Sequence, residues 1–287
     1  MKAFQTDMER AITSAGFILA VAGTVLALMA GVFTGLWVDM DIVKETGLNY
    51  GHHWQLLKQG LQSEAFTFAL PILSTLGFGG AYLEEMKSGY YKFSLPRYGR
   101  RNFVLTKVVV SSLSGGLSIW LGVILTALLY WAIFSPMEIC KGDAVLTGRV
   151  AAVMYEFADG AIKTATGAIV GVEATGAVNS NMFLALLQWS AMTFLMGGTW
   201  AGISCLFAVL YRNRYMAYGA SFLISYLLII LLTRFFDHIY IFNPREWFGQ
   251  NFYWEGGNLG VMGLLAECML IFMLVNGILM TKKISPD

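Results

Sequence analysis

The sequence predicts an all-α integral membrane protein, with six transmembrane helices behind an N-terminal interfacial amphipathic helix and both ends in the cytoplasm. Three observations carry that prediction. The chain of 287 residues is 57% hydrophobic and only 13% charged, whereas about a quarter of a soluble domain is charged. Six apolar runs are each long enough to cross a hydrocarbon core of about 30 Å as a helix. Finally, twelve of the nineteen basic residues fall in four short segments that alternate with longer, less basic ones. Lys and Arg close to span ends resist translocation, so those four segments are cytoplasmic.

The first segment covers 1–15. Phe4, Met8 and Ile12 are spaced four apart, on one helical face, with Asp7, Glu9 and Arg10 elsewhere. This is the pattern of a helix lying in the inner interface. The remainder, 16–287, is the six-helix transmembrane domain. Span 1 covers about Gly16–Val38, is uncharged and carries the pair Gly31 and Gly35, a spacing that lets a neighbouring helix approach closely. It is too long for the apolar core of a signal peptide. Residues 39–62 are polar and form the first outside loop. Span 2, about Ser63–Leu83, contains Pro71, which removes a backbone donor and is expected to kink it.

The stretch 82–107 follows, YLEEMKSGYYKFSLPRYGRRNFVLTK, with six basic residues: Lys87, Lys92, Arg97, Arg100, Arg101 and Lys107. It fixes the topology, because a segment so basic between two spans stays inside. Arg97 to Arg101 are suited to anionic headgroups. Span 3, about Asn102–Phe134, is longer than the core is thick and must tilt, kink or protrude. Residues 135–181 are the largest segment outside the membrane. There Leu146, Val150, Val153, Phe157 and Ala161 recur at helical spacing, and glycines at 160, 167, 171 and 176 follow. Span 4, about Asn181–Tyr211, has Gly197-Gly198 and Gly202 near its middle, a bend or close-packing point. Arg212 and Arg214 mark a minimal cytoplasmic turn before span 5, about Tyr215–Phe235. The outer segment 236–258 concentrates Trp, Tyr and Phe around Asn243-Pro244, which suits an interface with short helices dipping into it. Span 6, about Leu259–Met280, ends at Lys282-Lys283.

Several motifs are weaker than they look. Leu113-Ser114-Gly115-Gly116 resembles the signature of ABC ATPases, but it lies inside an apolar run, and no GxxxxGK[ST] phosphate loop occurs in the chain. His52 and His53 are adjacent, so they point in different directions and no metal site is expected. Cys140, Cys205 and Cys268 show no CxxC spacing and predict neither a zinc site nor a disulfide framework. A net charge of +1 argues against nucleic acid as a partner. No catalytic constellation is present, so the chain itself is expected not to be an enzyme and to bind no cofactor. Two polar residues inside spans stand out as a candidate substrate path. Glu267 in span 6 would be expensive as an ion unless it faces a partner or water, and Gln188 in span 4 is the second.

Two resemblances compete for the basic segment. Glu84-Glu85 at a membrane boundary resembles the CPBP (CAAX-type) intramembrane proteases, but position 89 is Gly where that pattern has Arg, and the later His238 lies at the outer end of span 5. Glu85, Gly89, Leu95-Pro96, Arg100 and Lys107 resemble the segment that joins spans 2 and 3 in ABC-2 type permeases. The likeness extends to the amphipathic N-terminus, the six spans and the aromatic segment before the last. It implies the permease subunit of an exporter in the cell membrane, moving a peptide, drug or lipid-like substrate. It further implies a second permease subunit, as a homo- or heterodimer, and a separate ABC ATPase subunit that carries the ATP and Mg²⁺. The coupling segment, 84–101, would offer Glu84, Glu85, Lys87, Gly89, Pro96 and Arg100, with a short helix bearing the acidic pair entering a cleft on the ATPase and Pro96 ending it. The alternatives are the intramembrane protease and a membrane sensor or structural subunit.

Overall fold

The computed structural model describes residues 2–46, 57, 60–78, 81–134, 174–211, 213–235, 242–244, 246–249 and 257–283, all within helices or their short connections. Ten helices are described: α1 Lys2–Ile12, α2 Ala15–Thr46, α3 Glu64–Leu76, α4 Ala81–Ser88, α5 Tyr91–Tyr98, α6 Arg100–Phe134, α7 Ala174–Tyr211, α8 Arg214–Arg234, α9 Glu246–Gly249 and α10 Gly257–Lys283. Five contain stretches long and apolar enough to cross a membrane: Ala15–Phe33, Arg100–Ala132, Leu187–Tyr211, Tyr215–Arg234 and Gly260–Lys283. The described residues are helical, and these five apolar helices support the all-α membrane class. The expected surface helix within 135–181 and the His52-His53 pair lie outside the described residues.

The stretch expected as span 2, 63–83, is divided. Ser63 caps α3 by accepting the Phe66 N–H at 3.2 Å, and the helix runs through Pro71 to Leu76 before stopping at Gly77. The break is thus six residues beyond the proline. Thr75 and Ser74 turn their hydroxyls back onto the carbonyls of Ile72 and Pro71, which shortens the last turn. At about 1.5 Å per residue, thirteen residues make a helix of roughly 20 Å, shorter than the hydrocarbon core. By contrast α6, with 35 residues, is roughly 50 Å long and exceeds the thickness of the core.

The axis of the bundle is the packing of α6 on α7, and glycines set its closeness. A methyl group added at Gly115 would meet the Ala201 methyl and, at 2.7 Å, the Ser74 carbonyl oxygen. At Gly116 it would meet the Phe194 carbonyl oxygen at 2.5 Å, and at Gly197 the Gly115 carbonyl oxygen at 2.9 Å. The Ser-Gly-Gly sequence within α6 is therefore a helix-packing motif of the small-residue kind. Gly197 and Gly198 do not interrupt α7, which is continuous through them; Gly198 instead admits Met269 of α10. Gly31 of α2 lies against Ser63 and Gly60, as close-packing glycines do.

Polar side chains fasten the rest of the bundle to α7. Ser204 donates to the Ala217 carbonyl at 2.6 Å and Ser221 to the Trp200 carbonyl at 3.1 Å, joining α7 to α8. Buried Asn276 of α10 donates to the Gly202 carbonyl at 2.7 Å. In a membrane, where apolar faces gain little by leaving lipid, such bonds and close contacts hold helices together.

The two ends of the bundle differ in chemistry. At one end Gln62 donates to the Phe248 carbonyl at 2.7 Å, and the rings of Phe66 and Phe248 meet edge to face at 6.0 Å. Trp247 and Phe248 are buried and fold into the bundle, while Phe242, in the same aromatic segment, is exposed. At the other end Lys283 donates to the Val209 and Leu210 carbonyls, capping the end of α7 with the end of α10. The starts of α6 and α8, the short helices α4 and α5, and α1 collect there with Arg10, Lys87, Lys92, Arg97, Arg100, Arg101, Lys107 and Lys282.

Candidate functional site

The basic end is organised around Lys107. This residue lies seven positions into α6, about 10 Å along the helix from Arg100. Its ammonium is buried with 3% of the residue exposed. It donates to Glu85 Oε1 at 2.6 Å and to the Asp7 carboxylate at 3.0 Å. It also lies 5.4 Å from the ring centre of Phe78 and 5.5 Å from that of Phe103, within reach of both π faces. Arg10 completes the cluster, its Nη1 3.2 Å from the same Glu85 Oε1. Two cations and two carboxylates balance in charge.

Each element has a reason to deliver its residue. In a helix adjacent residues are about 100° apart, so the Glu84-Glu85 pair divides. Glu84 faces outward and Glu85, 3% exposed, faces the bundle. Met8 and Ala11 of α1 pack with Phe78 and Val110, which seats Asp7 and Arg10 over α6 and leaves Phe4 and Ile12 exposed on the outer side. Ser14 donates to the Gly77 carbonyl at 3.2 Å, so the turn between α1 and α2 is held on the break after α3. That break is what places Phe78 beneath the ammonium.

A buried pair at this distance contributes through its geometry. Removing one partner of such a pair costs about 3–5 kcal/mol, because it strands the other charge. The Arg10 contact is weaker, since the Arg10 side chain is 58% exposed and its charge is screened by solvent. Glu85 Oε2 is buried and has no hydrogen-bond partner among the described residues.

The other residues singled out in 84–101 lie mostly on its outer surface. Lys87 is exposed on α4. Gly89 ends α4 with φ of +73°, and Gly99 ends α5 with φ of +74°, left-handed values that only glycine adopts without strain. A side chain at either would find open space, so the glycines are required by backbone conformation. Pro96 lies inside α5 and does not end the helix carrying the acidic pair. That helix stops at Gly89, and a second short helix follows. Arg100 opens α6, half-buried. Tyr90 and Phe93 are exposed at the same end, Phe93 to 77%.

Glu267 and Gln188 occupy different settings. Glu267 is exposed on α10, on the same outward face as Gly263, Leu270, Ile271 and Leu274. Gln188 is half-buried near the apolar start of the α7 span. Sequence reasoning missed Asp7, Arg10 and Asn276. The first two read as the polar side of an interfacial helix, and nothing local reveals a partner 75 or 100 residues away. Asn276 carried a usable signal, being an amide inside an apolar run.

Comparison with models of known families, with curated proteins and with solved structures finds no match.

Proposed function

We propose that this chain is the membrane-embedded permease subunit of an ABC-type exporter in the cell membrane. It would pair with a second permease subunit and carry a peptide, drug or lipid-like substrate, with ATP and Mg²⁺ held by a separate ATPase subunit. The observation that carries the reading is the way α4 and α5 are attached. They present Glu84, Lys87, Tyr90 and Phe93 outward at the basic end, while Glu85 ties the same segment to Lys107 of α6 and to α1.

In this reading the basic end is cytoplasmic and the chain crosses six times, with α3 and its flanking residues as the short second crossing. Closure of an ATPase pair pushes α4 and α5, and the left-handed glycines at 89 and 99 let α5 turn between rigid neighbours. The Glu85–Lys107 contact passes the displacement to α6, and the glycine-lined contact passes it to α7. Glu267, facing away from its own bundle, finds its partner in the second subunit, in water or in the cargo; an ionised carboxylate facing lipid alone is disfavoured by about 2.5–3.5 kcal/mol. The protease alternative gains nothing from this geometry, since Glu85 Oε1 is engaged by two cations.

Co-expression with the neighbouring genes, detergent purification and an ATPase assay test the proposal. An equimolar partner carrying a phosphate loop, with vanadate-sensitive hydrolysis that Phe93→Asp uncouples from the permease, is the expected result. A chain that elutes alone, with no nucleotide-binding neighbour, overturns it.

A further inference from the structure

Where α6 begins and α10 ends, an open depression is lined by Arg100, Arg101, Thr281 and Lys282. Three of these four are cations, and none of the three forms an ion pair with a carboxylate among the described residues. Their neighbours are in a different state: Lys107 is held by Glu85 and Asp7, and Lys283 by two carbonyls. The Arg100 Nε is buried and has no hydrogen-bond partner among the described residues. Thr281 spends its hydroxyl proton on the Gly277 and Ile278 carbonyls, which leaves recognition to the cations. The first intrahelical bond at this end of α6 runs from Phe103 N–H to the Gly99 carbonyl, so the amides before it face outward and add the positive end of a long helix.

We propose that this depression binds the phosphate of an anionic phospholipid in the leaflet at the basic end of the bundle. Charge complementarity selects an anion, and the position at the ends of two membrane-spanning helices puts it at headgroup depth. The surface just beyond the cations identifies the anion as a lipid's. Leu105, four residues into the membrane from Arg101, is exposed, and so is Ile278, four residues before Lys282. Both lie one helical turn below the charges on the same sides of their helices, and they offer an acyl chain an apolar track that free phosphate does not need. The site joins the first turn of α6, where the coupling segment ends, to the last turn of α10. It stands independently of the transport reading.

The test is native mass spectrometry and thermal melting of the purified full chain with phosphatidylglycerol or phosphatidylcholine. The wild-type chain is expected to retain phosphatidylglycerol selectively and to melt higher with it than with phosphatidylcholine. Removing two cations by Arg101→Gln with Lys282→Gln lowers that retention roughly tenfold or more. The matched pair Lys2→Gln with Lys92→Gln, which removes the same charge from α1 and α5, leaves it within about twofold of wild type if each site acts locally. The proposal is overturned if wild type shows no preference between the two lipids. Equal loss in both variant pairs, which means a diffuse interfacial charge, also overturns it, as does displacement of the lipid by millimolar inorganic phosphate.

Discussion

Glu85 and Glu267 are both carboxylates in a membrane protein, and the structure treats them oppositely. Glu85 sits in a polar, basic stretch of sequence, yet it is buried and engaged by Lys107 and Arg10. Glu267 sits in an apolar run, yet it is exposed on the outer face of α10. The polarity of the surrounding sequence therefore does not say whether a charge is inside. What decides is whether the helix face carrying the charge is turned toward another element with a complementary group. α4 turns the face with Glu85 onto the bundle and leaves Glu84, Lys87 and Ser88 exposed, while α10 packs with one face and leaves the face with Glu267 open.

The comparison can be broken most severely at Lys107. Lys107→Met strands Glu85 with a solvent-screened arginine and is expected to cost about 3–5 kcal/mol, read as a large shift in an SDS unfolding titration in mixed micelles. Asp7→Asn keeps the shape of the cluster but removes one of two carboxylates on the ammonium. A loss of about 1–2 kcal/mol is expected in the same titration, together with faster proteolysis of the N-terminal helix. Arg10→Ala should cost less than about 1 kcal/mol, and that loss should shrink further in high salt. Glu267→Gln sharpens the contrast from the other side. It should leave the unfolding stability within about 0.5 kcal/mol of wild type, because Glu267 is exposed and makes no hydrogen bond or ion pair among the described residues. Its effect should instead show in dimer yield or in cargo export, and an unchanged value of both would remove Glu267 from the proposed path.

Much of the fold was legible because helices in lipid advertise themselves by length and composition. Spans near 16–38, 215–235 and 259–280 agree with α2, α8 and α10 to within a few residues at most ends. α2 runs on to Thr46, into the stretch expected as an outside loop, and α7 starts at Ala174. The limit of the method shows at α3, where the proline drew attention but the chain breaks at Gly77. Pro71 lacks a single donor, which the surrounding helix tolerates, whereas the Ser14 contact and Phe78 packing demand that the backbone turn after Leu76. Gly89 and Lys107 were visible as parts of a pattern in the basic stretch 82–107. Their physical roles, a left-handed helix stop and a buried ammonium, depend on φ and on residues far away in sequence.

The most direct test of the cluster as the fastening of α4 is a double-mutant cycle over Glu85→Gln and Lys107→Met, read by the same unfolding titration. The account predicts that each single variant is strongly destabilised while the double variant recovers a substantial part of the loss, because removing both charges leaves neither stranded. Strictly additive losses would mean that the two side chains stabilise the fold independently, and the contact between them would no longer explain how α4 is held to α6.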